Sequence, residues 1–388
     1  MTKLNLIATT AFGLENVTAR EIKNLGYEDG VTENGRVNFI GDERSIARAN
    51  IWLRTAGRVL IKMAEFGAVT FEELFQGTKL VDWADWFEED AKIIVTGKSV
   101  NSGLFSVSDC QAIVKKAIIE KMKIKYNREI FEESGSTYKV EISMLKDIAI
   151  LTLDTSGEGL HRRKYRTLAG EAPIKESMAS ALIQLSFWKN ERILVDPMCG
   201  TGTIPIEAAL IAKNIAPGLG HSFLSETWRN IPKNIWDEAR IEAHDLIRND
   251  IKPNIYGMDI DDKAVSLSQQ HAKQAGVADC VHIRKAALKN FTSNEKYGFI
   301  ITNPPYGERL GELREVEQIY KEMAEICGKL DTWSFYIISS HPDFEKFFGK
   351  RADKRRKLYN ARLQCQYYQY YGPKPPRIEK INEITEDN

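Results

Sequence analysis

Residues 192–213 read RILVDPMCGTGTIPIEAALIAK, and this stretch decides the fold. The apolar residues 193–195 predict a buried strand, the turn that follows contains Gly200 and Gly202, and an apolar helical segment comes next. In an open sheet of alternating strands and helices, a glycine-rich turn after the first strand lets the backbone approach a nucleotide-like ligand closely. The turn has neither the G-K-[ST] of a phosphate-binding loop nor a G-x-G-x-x-G spacing, so neither ATP nor a dinucleotide is favoured. Taken alone, the turn is also compatible with a purely structural connection.

The rest of the C-terminal half repeats this pattern of strand, turn and helix. Apolar segments such as NIYGMD (254–259) and GFIITN (298–303) alternate with segments of helical periodicity. Such alternation specifies a mostly parallel, doubly wound sheet with helices on both faces. We therefore predict an α/β, Rossmann-like domain over residues 189–377.

A second polar position follows the strand 254–259. Asp259 ends this strand, 63 residues after Asp196. An ionised carboxylate at such a strand end can accept hydrogen bonds from both hydroxyls of a ribose, because it offers two oxygens. The neighbouring Asp261 and Asp262 have a sufficient structural explanation as caps of the next helix. Asp259 is therefore the predicted ribose ligand.

The most specific motif is Asn303-Pro304-Pro305-Tyr306, directly after an apolar strand. Two consecutive prolines fix the backbone and remove two N–H donors, which leaves a rigid carbonyl facing the crevice. The Asn303 side-chain oxygen and the Pro304 carbonyl can accept both hydrogens of an exocyclic amine, while Tyr306 offers a flat face for a base. Catalysis here would come chiefly from orienting the nitrogen, with little need for a strong general base.

The N-terminal half predicts two smaller units with strands on one side and helices on the other. The first resembles a ferredoxin-like α+β unit in its alternation of strands and helices. After the second unit the sequence changes to a basic stretch, a loop and an apolar helix, which we interpret as a linker. The polar C-terminal end predicts a frayed tail. The predicted segments are residues 1–65 and 66–158 for the two units, 159–188 for the linker and 378–388 for the tail.

The composition is that of an ordinary globular protein with 388 residues, 43% of them hydrophobic and 28% charged. This length favours two or three domains. There is no signal-peptide pattern and no run of about 18 apolar residues, so we expect a soluble, cytoplasmic protein without a membrane partner. The five cysteines are at least 38 residues apart and the six histidines show no ligand spacing. We therefore expect neither a disulfide framework nor a metal site.

Charge is balanced overall and segregated locally. The 54 basic and 54 acidic residues give a formal net charge of zero. Residues 70–90 contain seven acids and one base, residues 98–128 contain seven bases and two acids, and residues 349–357 read GKRADKRRK. Each run is compatible with an ordinary solvated face, and two basic runs beside an enzyme-like core are equally compatible with an anionic partner.

The combined motifs resemble a known group of enzymes. DPMCGTGT (196–203), GMDID (257–261) and TNPPYG (302–307) look like the S-adenosylmethionine-dependent methyltransferases that modify an exocyclic nitrogen of a base. The segments GLHRRKYR (159–166) and APIKESMASALI (172–183) resemble the join between a THUMP domain and its methyltransferase. Over nearly its whole length the chain resembles the THUMP-containing large-subunit ribosomal RNA (guanine-N2)-methyltransferases. The resemblance implies a ferredoxin-like unit and a THUMP domain ahead of a class I methyltransferase domain.

The resemblance also implies a site. S-adenosylmethionine would lie over residues 196–203, with its ribose at Asp259 and its methionine end near Asn303. The implied cofactor contacts are Asp196, Met198, Cys199, Gly200, Thr201, Gly202, Thr203, Asp259 and Ile260, and the implied catalytic residues are Asn303, Pro304, Pro305 and Tyr306. For Cys199 we expect the role of a small buried residue rather than of a nucleophile. The family usually has an acidic residue after the third strand, near the adenine amino group, where this chain has Ala286 and Ala287.

The implied substrate is an RNA whose target base is unpaired or flipped out of its helix. The N-terminal half would hold RNA shape and backbone, and basic side chains would meet phosphates. The candidate RNA contacts are Lys115, Lys116, Lys121, Arg162, Arg163, Lys164, Arg355 and Arg356. The favoured target is N2 of a guanosine in 23S ribosomal RNA. The alternatives are N2 of a guanosine in tRNA and a non-catalytic RNA-binding or ribosome-assembly factor, and the Asn-Pro-Pro-Tyr motif alone does not exclude N6 of adenine.

Overall fold

The computed structural model describes residues 3–28, 30–166, 174–306, 313–360 and 363–376. These residues form two seven-stranded sheets with helices packed against them. The predicted tail, and the Gly-Glu-Ala-Pro loop of the predicted linker, lie outside the described residues. No described helix is both long and apolar enough to cross a membrane.

The first six elements form a ferredoxin-like unit, as predicted. They are β1 (Leu4–Thr10), α1 (Glu15–Asn24), β2 (Val31–Glu33), β3 (Arg36–Gly41), α2 (Glu43–Trp52) and β4 (Ala56–Gly67). β1 lies between β3 and β4 and is antiparallel to both. Asp42 begins α2 because its side chain accepts a hydrogen bond from the Ser45 N–H at 2.9 Å, and Ser45 returns the contact in a capping box. The sequence pattern does not predict β2, whose three residues are all exposed.

The next elements extend the same sheet rather than forming a separate one. They are α3 (Phe71–Lys79), β5 (Lys92–Val100), α4 (Val107–Tyr126), β6 (Thr137–Leu145) and β7 (Ile148–Asp154). β7 pairs with β4 along its length, from Leu60 opposite Asp154 to Gly67 opposite Ile148. The resulting strand order is β2-β3-β1-β4-β7-β6-β5. The sequence pattern predicts two separate units here, because pairing between strands so far apart in the chain leaves no local signal.

The C-terminal unit is the predicted doubly wound domain. Its elements are α5 (Glu176–Leu185), β8 (Leu194–Asp196), α6 (Thr203–Ala212), α7 (Lys233–Asp245), β9 (Ile255–Asp259), α8 (Asp262–Gln274), β10 (Val281–Lys285), β11 (Phe299–Thr302), α9 (Leu313–Lys329), β12 (Ser334–Ser339), α10 (Phe344–Phe348), β13 (Lys354–Asn360) and β14 (Leu363–Tyr370). The strand order is β10-β9-β8-β11-β12-β14-β13, parallel from β10 to β12 and antiparallel beyond. The order reverses at β8, between β9 and β11, which is where open α/β sheets bind ligands.

The two halves share a hydrophobic core. Residues 216–243, which belong to the C-terminal unit in sequence, pack into the core of the N-terminal sheet. Trp228 is buried there, with its ring stacked 4.7 Å from that of Tyr138 on β6. Beside it, Arg48 of α2 forms a two-point contact with Glu242 of α7, both hydrogen bonds measuring 2.8 Å. The N-terminal sheet is thus fixed to the C-terminal unit by buried contacts.

A buried polar network forms a second connection between the halves. Glu207 of α6 is fully buried and accepts hydrogen bonds from Tyr165 at 2.9 Å and from Ser180 at 2.5 Å. The guanidinium of Arg163 lies 3.5 Å from the same carboxylate and donates to the carbonyl of Arg54 at 2.7 Å. Because a buried carboxylate needs paired donors, residues of the predicted linker act here as part of the folded interior.

Candidate active site

The carboxyl ends of β8 and β11 are joined by one short hydrogen bond. Asp196 ends β8 and is buried, and its Oδ1 accepts from the hydroxyl of Thr302 at 2.6 Å and from the Met198 N–H at 3.2 Å. Burial raises the pKa of the Asp196 carboxyl to about 7, although both hydrogen bonds oppose the shift. Thr302 is the residue directly before Asn303, so this contact places the glycine-rich turn beside the Asn-Pro-Pro-Tyr motif.

The glycine-rich turn leaves open space above its backbone. Gly200 and Gly202 have φ values of +53° and +82°, a region that other residues rarely adopt. A Cβ at Gly200 would meet no atom within 4 Å, whereas one at Gly202 would lie 2.8 Å from the Cβ of Ser268. Gly202 is therefore needed for packing against α8, and Gly200 leaves room where a ligand can approach the backbone.

Cys199 lies inward from this turn. Its side chain is 7% exposed, and a Cβ at Gly257 of β9 would come within 3.0 Å of its sulfur. Burial raises the pKa of the thiol well above its ordinary value, so the nucleophilic thiolate is disfavoured. The structure thus gives Cys199 the packing role expected from the sequence, and its backbone N–H donates to the carbonyl of Met258 at 2.7 Å.

Asp259 fixes the geometry of the next strand end. Its two carboxylate oxygens accept from the Gly200 N–H at 2.8 Å and from the Asp261 N–H at 3.0 Å. Each oxygen keeps a further lone pair that can accept from a ligand hydroxyl. The adjacent Ile260 is 71% exposed. Asp261 caps α8 by accepting from the Lys263 N–H at 3.0 Å, as predicted.

The Asn-Pro-Pro-Tyr turn, residues 303–306, follows β11 at the same edge. Asn303 is half-buried, Pro304 is buried and Pro305 is exposed. The hydroxyl of Tyr306 donates a hydrogen bond to Oδ1 of Asn303, which occupies one of the two lone pairs of that oxygen. The ring of Tyr306 is itself partly buried against the core. The second lone pair of the Asn303 oxygen is the one available to a ligand donor.

A tyrosine that no sequence motif predicts supports this turn. Tyr320, fully buried on α9, donates to the carbonyl of Pro305 at 3.2 Å, and its oxygen lies 3.0 Å from the hydroxyl of Ser339 at the end of β12. The ring of His341 meets Tyr320 edge-on at 5.6 Å. No motif marks Tyr320 in the sequence, because its position depends on how α9 packs against the sheet.

The third strand end carries no acidic side chain at the position expected from the resemblance. Ala286 and Ala287 follow β10 and are both half-buried, and the Ala286 N–H donates to the carbonyl of Asp259 at 3.0 Å. This end of the sheet therefore offers backbone and alanine methyl groups near the predicted adenine position. Among the described residues there is also no cluster of three or more side chains suited to a metal ion.

Family models match the chain in three consecutive segments. Residues 163–369 match the model described as "RMKL-like, methyltransferase domain", which covers more than half of the chain. The chain belongs to the RMKL-like methyltransferase family. Residues 5–60 match an "RlmL ferredoxin-like domain" and residues 68–154 match the THUMP domain. The predicted resemblance to THUMP-containing methyltransferases is thereby confirmed.

Relatives match the RMKL-like chain over almost its whole length. It is 49% identical over 382 residues, 98% of this chain and 99% of the relative, to the Bacillus subtilis (strain 168) protein named "Putative RNA methyltransferase YpsC". A crystal structure from Listeria monocytogenes, described as a "predicted N6-adenine-specific DNA methylase", is 49% identical with a TM-score of 0.92, covering 96% of this chain and 97% of that one. The structure of SMU.472, described as a "putative methyltransferase complexed with SAH", is 43% identical with a TM-score of 0.93, covering 97% and 100%.

The residues at this edge of the RMKL-like chain fit S-adenosylmethionine, the expected methyl donor. Gly200 leaves open backbone, Ile260 offers an exposed apolar surface, and Asp259 keeps free lone pairs. Within the described part of the chain, the buried hydroxyl of Thr201 has no hydrogen-bond partner. The predicted cofactor residues thus meet at one edge of the sheet, and their individual contacts with the cofactor stay predictions.

Two of the three lysines predicted as RNA contacts on α4 form ion pairs. Lys115 lies 2.7 Å from Glu133, and Lys121 lies 2.9 Å from Asp82. Among the described residues, Lys116 forms no ion pair. Its ammonium lies 5.8 Å from the centre of the Phe75 ring. These pairs reduce the positive field of the helix, so RNA binding by these lysines stays a prediction.

The linker arginines and the last basic run differ in exposure. Arg162 and Lys164 are exposed, whereas Arg163 is 4% exposed and turned inward toward Glu207. The prediction that Arg163 contacts phosphate is therefore wrong, because its guanidinium is used inside the protein. In β13, Arg355 is exposed with Glu345 at 3.4 Å, and Arg356 is half-buried. Burial of one arginine in a basic run cannot be recognised from composition.

Proposed function

We propose that this chain is an S-adenosylmethionine-dependent RNA methyltransferase that methylates the exocyclic N2 of a guanosine in 23S ribosomal RNA. The observation that carries the proposal is the placement of the Asn-Pro-Pro-Tyr turn beside the open glycine-rich turn, linked through the hydrogen bond between Thr302 and Asp196. The family membership, the name of YpsC and the SAH in the structure of SMU.472 support a methyl transfer to RNA. The THUMP domain supports an RNA substrate rather than DNA.

The chain's own residues would act by position. The remaining lone pair of the Asn303 oxygen and the backbone carbonyl of Pro304 would hold the two amine hydrogens, which directs the nitrogen lone pair toward the methyl group. S-adenosylmethionine would supply that methyl group from its sulfonium sulfur: the S–CH3 bond breaks with its electron pair staying on the sulfur of S-adenosylhomocysteine, and the methylated nitrogen gives up one proton to solvent. The ring of Tyr306 would lie against the base while its hydroxyl keeps its hydrogen bond to Asn303. Orientation of this kind lowers the barrier without a strong base.

The cofactor side of the site would use the neighbouring strand ends. The carboxylate of Asp259 would accept from the ribose hydroxyls, and the exposed Ile260 would contact the adenine face. Residues 196–203 would support the methionine end, since Gly200 allows close approach. Because Ala286 and Ala287 offer no carboxylate, a backbone carbonyl at this edge would accept from the adenine amino group.

Replacing Asn303 by alanine tests the proposed chemistry. Asn303→Ala should lower kcat for methyl transfer by on the order of a hundredfold, because the amine is no longer oriented. Affinity for S-adenosylmethionine, measured by calorimetry, should change less than about threefold. Asn294→Ala is the matched control, because Asn294 is exposed and precedes the amino end of β11, away from the carboxyl ends that form the site. Turnover that is unchanged in Asn303→Ala would refute this role.

The substrate is tested separately. Nucleoside mass spectrometry of ribosomal and transfer RNA, from cells with and without the gene, should show loss of one N2-methylguanosine in 23S ribosomal RNA. Loss from tRNA instead would identify the tRNA alternative, and loss of N6-methyladenine from DNA would support the activity named for the Listeria relative. Absence of measurable heat with S-adenosylmethionine would favour a non-catalytic assembly factor.

A further inference from the structure

Two aromatic rings and a lysine meet where the N-terminal unit touches the β13–β14 hairpin. Phe12, in the loop between β1 and α1, is 53% exposed, and its ring lies edge-on to that of Tyr359 with centroids 6.1 Å apart. The ammonium of Lys357 lies 5.4 Å from the centre of the Tyr359 ring. We propose that Phe12, Lys357 and Tyr359, here called the aromatic patch, bind an unpaired nucleotide of the RNA next to the target base. This inference rests on the proposed RNA substrate.

The aromatic patch lies at the same edge of the sheet as the proposed catalytic turn. Lys357 pairs with Gln366, and Gln366 pairs with Ser339, the last residue of β12. Tyr359 is two residues further along β13 and therefore lies beyond the carboxyl end of β12. Ser339 in turn contacts Tyr320, whose hydroxyl donates to the Pro305 carbonyl. The patch and the Asn-Pro-Pro-Tyr turn thus share one rim of the molecule.

The backbone around the aromatic patch is held in place while its side chains stay accessible. Leu14, two residues after Phe12, is 1% exposed and packs in the core of the C-terminal unit. A Cβ on Gly13 would lie 2.7 Å from the Lys357 carbonyl oxygen, so the loop presses directly on β13. Side chains alternate along a strand, which directs the buried Leu358 inward and leaves Lys357 exposed. A preorganised surface of this kind loses little entropy when a ligand binds.

The chemistry of the aromatic patch fits a nucleotide. Aromatic rings stack on any base, and an ammonium group two residues away can meet the phosphate of the same nucleotide. When a target base leaves its helix, the neighbouring base loses a stacking partner, which an aromatic side chain can replace. The exposed Lys354 on the same strand continues the positive charge away from the rim, whereas the charge of Arg355 is matched by Glu345. These features favour RNA over an acidic protein segment, which would use the lysines without the rings.

A single-stranded RNA decamer provides the test, with binding measured by fluorescence anisotropy on the full chain. Phe12→Ala should weaken binding about tenfold. Lys357→Gln should lower the slope of log affinity against log salt by about one unit. Phe187→Ala is the matched control, because Phe187 is 67% exposed and its ring lies 5.3 Å from that of Tyr371 at the opposite end of β14. This control should change the affinity less than twofold.

Two further measurements on the same variants distinguish a loss of RNA binding from a folding defect and from a damaged cofactor site. Each variant should keep the unfolding midpoint of the wild type and its affinity for S-adenosylmethionine, since no patch residue belongs to the proposed cofactor site. Equal decamer affinity of wild type and Phe12→Ala, or an equal loss in Phe187→Ala, would overturn the inference. Failure of the proposed function would differ, because the wild type would then methylate no RNA while the binding comparison could still be made.

Discussion

At the scale of single residues, Tyr320 offers a prediction about the support of the catalytic turn. Its hydroxyl donates to the Pro305 carbonyl at 3.2 Å from a fully buried position. Tyr320→Phe removes that donor and leaves the carbonyl without this hydrogen bond. The turn that carries Asn303 should then be held less firmly in position. We expect kcat for methyl transfer to fall about tenfold, with KM for S-adenosylmethionine unchanged. Steady-state kinetics with saturating RNA measures both values.

Tyr367→Phe is the appropriate control for that variant. Tyr367 is also fully buried, and its hydroxyl donates at 2.8 Å to the Leu182 carbonyl, away from the catalytic turn. Both variants should lose about 1 kcal/mol of unfolding free energy, measured by urea denaturation. If both also lower kcat equally, Tyr320 contributes only general stability and not positioning.

The residues of the candidate site divide into those that can be predicted from sequence and those that cannot. Asp196 and Asp259 each end a parallel strand and Asn303 directly follows one, and such ends meet at one edge, so their proximity follows from the pattern alone. Thr302 directly precedes the motif and could have been found as a polar residue ending an apolar strand. Tyr320 could not, because its contact depends on the packing of a helix and on no local signal.

At the scale of elements, helix α4 combines a basic sequence with paired charges. Lys115 and Lys121 are matched by Glu133 and Asp82, at 2.7 and 2.9 Å. We predict that reversing Lys115, Lys116 and Lys121 to glutamate together weakens binding to ribosomal RNA and flattens its salt dependence, because three positive charges near the RNA become negative. Filter binding over a series of salt concentrations measures the slope.

The matched control reverses the charge of three exposed lysines at the end of the C-terminal sheet that lies away from the candidate active site. Lys252, Lys296 and Lys329 precede β9, β11 and β12 and so lie at the amino ends of these strands. The charge change is identical, but the distance from the proposed RNA surface is larger. A salt slope that is unaffected by the α4 variant, or affected equally by both, would show that α4 is ordinary solvated surface.

The packing of these elements also explains why the charge runs alone do not predict whether a surface is positively charged. The acidic residues 70–90 and the basic residues 98–128 form separate runs in the chain. In the fold they face each other, with Arg128 lying 3.2 Å from Glu89 and Lys121 beside Asp82. Exposed pairs of this kind contribute little to stability, but they cancel much of the local field. Composition predicts the charges, and only the packing of α4 against its neighbours shows that they compensate one another.

At the scale of the whole molecule, the shared core sets the distance between RNA binding and chemistry. Residues 216–243 leave the C-terminal sheet after α6 and complete the core of the N-terminal sheet before the chain returns to β9. An RNA held by the N-terminal half would therefore meet the catalytic edge at a fixed separation. The sequence predicts the three family segments in order, but this exchange of chain between cores leaves no signal in a local pattern.

Trp228 gives the test of that fixed separation. Its indole N–H donates to the Thr137 carbonyl at 2.9 Å and its ring stacks on Tyr138, so Trp228→Ala should cost about 3–5 kcal/mol of unfolding free energy. Trp188→Ala, at a tryptophan packed only in the core of the C-terminal unit, should cost a comparable amount. At temperatures below both unfolding transitions, only Trp228→Ala should lower kcat/KM for RNA and speed amide hydrogen exchange along β6. The reason is that only Trp228 packs between the C-terminal unit and the N-terminal sheet. Equal effects of the two variants on RNA turnover would mean that overall stability, rather than the relative placement of the halves, limits the reaction.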